Sequence, residues 1–230
     1  MAQTAQAINV YVERGAKRTF AGALEWPGWC RSGRDEAAAL QALVDYAPRY
    51  AAALHTARLS FELPVNVAAL RVVERLPGTA TTDFGAPDAS PAADAAPVDA
   101  AGLQRFAALL RAGWQTLDAA LLAAAGHTLR SGPRGGGRDA AAIARHVYEA
   151  ERAYLARLGV RVKPDSGELS ERQLAQERQA AIDALGAGAR GDFPAHGPRG
   201  GKIWTARYFV RRMVWHALDH AWEIEDRIIR

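Results

Sequence analysis

The carboxy-terminal stretch, residues 203–230, limits the fold most. It reads IWTARYFVRRMVWHALDHAWEIEDRIIR and contains neither proline nor glycine. Its apolar and aromatic residues recur at helical spacing, which predicts an amphipathic helix of about seven turns at 3.6 residues per turn. One stripe runs through Phe209, Met213, His216, His220 and Ile224, beside a second of Val210, Val214, Ala217, Ala221 and Ile228. His216 and His220 therefore sit one turn apart on the buried face. Side chains at i and i+4 lie one above the other, so both imidazoles can point at one centre. The pair has two readings: core histidines hydrogen-bonded to a neighbouring helix, or two ligands of one metal ion. A third ligand would separate the readings, and the chain has only six histidines.

The search for it needs the rest of the helices. From residue 99 onward the pattern is helical throughout. Helix one is expected over about 99–125, ended by Gly126 and the glycine-rich run that follows. Helix two is expected over about 138–158, and helix three from Ser170, with Gln173 three residues later as a capping box, to about Leu185. Four helices with short to medium connections pack as an up-down four-helix bundle. In helix two the inward stripe is Ile143, His146 with Val147, Ala150, Tyr154 and Leu158. His146 stands where an apolar residue belongs, and a buried imidazole needs a hydrogen-bond partner or a metal. The other three fit worse: His55 lies in an upstream domain, His127 ends helix one, and His196 lies in a loop.

Upstream, residues 8–14 and 17–25 read as paired strands, a Pro-Gly turn and a short extended piece follow, and residues 34–55 read as helical, with Pro48 expected to kink the helix or end its first part. Residues 70–76 are a further strand. This is a small ββ(β)αβ domain over residues 1–80. Residues 81–98 are rich in Pro, Ala and Gly, show no period and are expected to be a linker. The expected fold class is α+β in two domains, mainly α, with the bundle over 99–230.

Charge and cysteine usage narrow the function classes. Twenty-nine basic residues are nearly matched by twenty-five acidic ones and interspersed with them, which speaks against a nucleic-acid footprint. A single cysteine, Cys30, excludes an internal disulfide. The start of the chain lacks the basic-then-apolar pattern of a signal peptide, and no apolar run approaches the roughly 18 residues that span a membrane. The expectation is a cytoplasmic protein without a membrane segment.

The segments ARHVYEAERAYLARLG and YFVRRMVWHALDHAWEIEDR resemble helices two and four of the DinB-like superfamily, and the resemblance covers residues 99–230. It implies a four-helix bundle in which His146, His216 and His220 bind a divalent metal, zinc or nickel, and implies pairing as a homodimer. Some members are thiol-dependent transferases or isomerases using mycothiol, bacillithiol or glutathione. In them an open metal position would deprotonate and hold a low-molecular-weight thiol. Residues 8–54 resemble HicB-like antitoxin domains in the order of strand pair, Pro-Gly turn, extended piece to Gly33 and acidic helix opening at Asp35-Glu36. That domain is a candidate partner-binding unit. The alternative function is a non-catalytic, metal-binding stress-response or interaction module, and a fourth protein ligand closing the site would favour it.

Four further residues are candidates. Glu149, three residues after His146, reads as an orienting partner, a fourth ligand or a solvated charge. Lys202 and Arg207, with Arg199, cluster at the start of the last helix, as anion contacts for a substrate or cofactor or as a solvated basic loop.

Overall fold

A computed structural model describes residues 7–131, 137–162, 170–189, 196–197 and 200–229. The chain divides into two compact units, Met1–Ala96 and Pro97–Arg230. Among the described residues there are seven helices and one four-stranded sheet. None of the described helices is long and apolar enough to cross a membrane.

In the first unit, strands β1 (Ile8–Arg14), β2 (Thr19–Ala23), β3 (Cys30–Gly33) and β4 (Leu70–Pro77) lie in the order β3-β2-β1-β4. β1 pairs antiparallel with β2 and parallel with β4. The stretch from 34 to 55 is two helices, α1 (Glu36–Asp45) and α2 (Ala47–His55). Of the two effects expected of Pro48, the structure has the break: α1 ends before it, and it sits in the first turn of α2, where its missing N–H costs no hydrogen bond. Asp35 caps α1 through the backbone N–H of Ala38. Gly33 lets α1 close on β3, since a Cβ there would lie 2.4 Å from the Ala39 nitrogen. The core beneath centres on Trp29, stacked on Tyr50 with Phe61 edge-on to both.

The segment expected to be a linker is instead part of this unit. It carries α3 (Ala80–Phe84) and a 3-10 turn over Ala92–Ala95. The carboxylate of Glu13 on β1 is fully buried and holds it, accepting from the Thr82 hydroxyl and from the backbone N–H groups of Asp88 (2.9 Å) and Ala89 (3.0 Å). Glu74 on β4 takes the N–H of Ala92. Composition read as loop because alanine and proline set no period; two acidic side chains far away in sequence supply the order. Replacing Glu13 with Ala should strand these donors and cost about 3 kcal/mol. The check is chemical denaturation together with new protease cleavage within 84–96.

In the second unit α4 (Ala100–Ala123), α5 (Ala140–Ala156), α6 (Glu171–Ala189) and α7 (Ala206–Arg227) touch one another in every pairing. Asp99, Asp139 and Thr205 cap α4, α5 and α7. The Ser170 hydroxyl accepts from the Gln173 N–H, as a capping box requires, but the Gln173 side chain turns to Glu177. α7 departs from a simple amphipathic helix. It is buried on every side from Tyr208 to Leu218, Arg211 and Arg212 included.

Candidate metal centre

α5 and α7 build the site. Ile143 and Val147, both fully buried, anchor the inward face of α5 in an apolar cluster with Leu117, Ala221 and Ile224. That packing fixes the rotation of α5 and turns His146, between the two anchors, toward α7. On α7 the one-turn spacing brings His216 and His220 to meet it. The three rings lie 4.7–5.1 Å apart between centroids, at interplanar angles of 69–90°. One nitrogen from each lies within 4.8 Å of the others. His216 is buried at 6% exposure, while His146 and His220 are partly open, so the cluster has a closed floor and an accessible side.

Its electrostatics favour the neutral form of His216 and His146. Burial, then the charges of His220, His146 and Arg212, hold the His216 pKa well below the ordinary histidine value. Burial and then His220 also lower that of His146. Neutral imidazole is the ligating form. The Nδ1 of His216 is buried without a hydrogen-bond partner, a position that costs free energy in a core unless something coordinates there.

The expected outer residues are placed differently. Glu149 is exposed and stands outside the three-ligand group; its charge favours protonation of His146, against the larger effect of burial. The carboxylate that reaches the site is Glu223, whose Oε2 lies 2.8 Å from His220 Nδ1. Its other oxygen takes Arg227 Nη1 at 2.6 Å. The hydrogen bond from His220, and then Arg227, hold the Glu223 pKa below the usual carboxylate range. In the sequence Glu223 is one of several acidic residues interleaved with arginine on this helix, and such charges ordinarily lie in solvent. The signal was present, since 220, 223 and 227 are three and four residues apart on one helix face.

Arg207 and Lys202 do not meet the histidines. Arg207 donates to the Pro97 carbonyl at 3.1 Å and lies over the Phe106 ring. It is nine residues, about 13 Å of helix, from His216. Lys202 is exposed, and Arg199 lies outside the described residues. The cation near the site is Arg212, one turn from His216, donating to the Tyr154 hydroxyl at 3.2 Å. The Tyr154 ring stands 5.8 Å from that of His216. His55, His127 and His196 are all exposed and take no part.

A carboxylate elsewhere on α5 is buried outright. Glu151 continues the buried row Ile143, Val147, Glu151, Leu155 and accepts from Trp114 Nε1 at 2.9 Å. Burial pushes its pKa up to about 7 against the opposing pull of Arg178.

No protein-family model, no curated protein and no solved structure matches this chain.

Proposed function

We propose that the helical unit is a DinB-like metal-binding bundle in which His146, His216 and His220 hold one divalent cation, zinc or nickel, with a position open to a ligand from solution. The observation that carries this reading is the convergence of one nitrogen from each of three histidines on two helices, with the buried one kept neutral. Three imidazoles suit either metal. The unpartnered Nδ1 of His216 agrees with the same assignment. When bound, such a cation lowers the pKa of a thiol or water beside it. The chain's own residues do the rest. Ile143, Val147 and Ile224 keep water from the rear of the site, and His146 and His220 form its open side. Arg212 holds positive charge close enough to oppose protonation of His216.

The function favoured is therefore a metal-dependent enzyme, with a low-molecular-weight thiol in group transfer or isomerisation, or water, as the activated species. A non-catalytic role would suit a site closed by a fourth protein ligand, and among the described residues none joins the three histidines. The test is loading with cobalt(II), followed by titration with glutathione. About one equivalent of ion, with a new near-ultraviolet charge-transfer band on adding thiol, is the expected result. A folded protein that takes up no ion overturns the proposal. Ion uptake with no response to thiol keeps the site and removes the thiol.

A further inference from the structure

We infer that Glu223 is the positioning residue of this centre, and that Arg227 locks it in place through the backbone of the α4–α5 connection. The inference rests on the three-histidine reading above. Among the three rings, His220 has a carboxylate on one nitrogen: Nδ1 faces Glu223 Oε2 at 2.8 Å. A carboxylate only accepts, so Nδ1 carries the proton, and in the neutral ring Nε2 then keeps its lone pair free for a cation. The same contact fixes the rotation of the ring and makes Nε2 a stronger donor.

A carboxylate on a helix surface would ordinarily swing between rotamers. Glu223 is held at both oxygens, one on His220 and the other on Arg227 Nη1. Arg227 is itself buried at 5% exposure, and every nitrogen of its guanidinium is engaged. Nε donates to the Arg130 carbonyl at 2.7 Å and Nη2 to the Arg138 carbonyl at 2.8 Å. The backbone adds its own ties, from the Arg130 N–H to the Arg227 carbonyl and from the Ile229 N–H to the Thr128 carbonyl. One ligand of the centre is thus braced by two side chains in series, Glu223 and Arg227, ending on backbone that precedes α5, the helix of His146. Glu149, by contrast, is exposed and its place on α5 gives it no such support.

The arrangement separates two contributions, orientation and charge, that substitutions can resolve. Glu223→Gln keeps a carbonyl oxygen for the Nδ1 proton but removes the negative charge; Glu223→Ala removes both. Cobalt(II) affinity, measured by competition with a chromophoric chelator, should fall roughly 10- to 100-fold in Glu223→Ala and by less in Glu223→Gln. The visible bands of bound cobalt should shift in Glu223→Ala, because the His220 ring is released. A thermal melt of each metal-free variant accompanies the titration. A purely structural role would lower the metal-free melting temperature and leave the affinity of the folded protein and the cobalt bands as in wild type; that result overturns the inference. If Glu223→Ala does not fold, Glu223→Gln alone decides it: unchanged affinity overturns the inference and weakened affinity supports it. A wild-type protein that binds no cobalt defeats the three-histidine reading and this one with it, whereas equal binding by wild type and variants defeats this one only.

Discussion

Alanine at His216 should remove metal binding while leaving a folded protein. In wild type, an ion present at about a hundred times its dissociation constant adds about 2.7 kcal/mol to the stability of the folded form. In a protein of this size that raises the melting temperature by roughly 5–11 °C. The variant should show no such increment, and less than about a tenth of an equivalent of retained ion. Its metal-free stability is a separate quantity. Removing the imidazole leaves a cavity costing about 2 kcal/mol. Loss of a buried nitrogen that has no partner offsets part of that cost. Metal analysis by mass spectrometry, with melts in zinc and in chelator, resolves the two effects. His55→Ala, at an exposed site in the other unit, is the control and should behave as wild type. A His216→Ala protein that keeps its ion would remove the centre from consideration.

The second large effect concerns pH and Glu151. The carboxyl is buried at 6% exposure, with a folded pKa of about 7 against an ordinary value of 4.5. Burial is the main cause, and the neighbouring Asp118 and Glu177 add to it, while Arg178 and the Trp114 hydrogen bond oppose it. A raised pKa means the folded state keeps a proton that the unfolded state has released. The stability tied to this group is therefore complete below about pH 4.5 and declines as pH rises, being lost by about pH 7, by about 3 kcal/mol in all. Above that range the folded protein carries a buried, poorly compensated charge. Glu151→Gln, which still offers Trp114 an oxygen, should match wild type near pH 4.5 and exceed it by about 3 kcal/mol near pH 8. The comparison must be a difference between the two proteins. His216 and His146 act oppositely, since their depressed pKa values make the fold lose stability as pH falls below about 6.5. Urea denaturation across pH 4.5–8 measures the difference. A flat difference would show Glu151 to be ionised in the fold and its burial to be compensated.

Local periodicity and end chemistry carried most of the secondary structure. The helices of the second unit begin within three residues of the positions expected, and Asp99, Asp139 and Thr205 set the starts of α4, α5 and α7 by satisfying first-turn donors within three residues of chain. His216 and His220 share a face for an equally local reason, the i, i+4 geometry of one helix. His146 was legible because it interrupts an apolar stripe. The misplaced residues share a different cause. Glu149 and Glu223 are each three residues from a histidine, and nothing local distinguishes them. Glu223 is selected by Arg227, which is held in turn by carbonyls about ninety residues earlier in the chain. Glu151 was hidden because its partner, Trp114, is on another helix, and a charged residue on a helix is ordinarily solvated.

The sequence by itself determined the segments that become helices and strands, the three histidines that can share a centre and the chemistry they offer, since each depends on residue type and spacing within a few turns. Only the tertiary structure decided which carboxylate reaches the histidine cluster, which one is driven to hold its proton, and that the Pro/Ala-rich stretch belongs to the sheet unit. Those outcomes depend on burial and on hydrogen bonds between residues far apart in the chain. Such contacts come into being only when whole elements pack and water leaves, and no short window of sequence contains them.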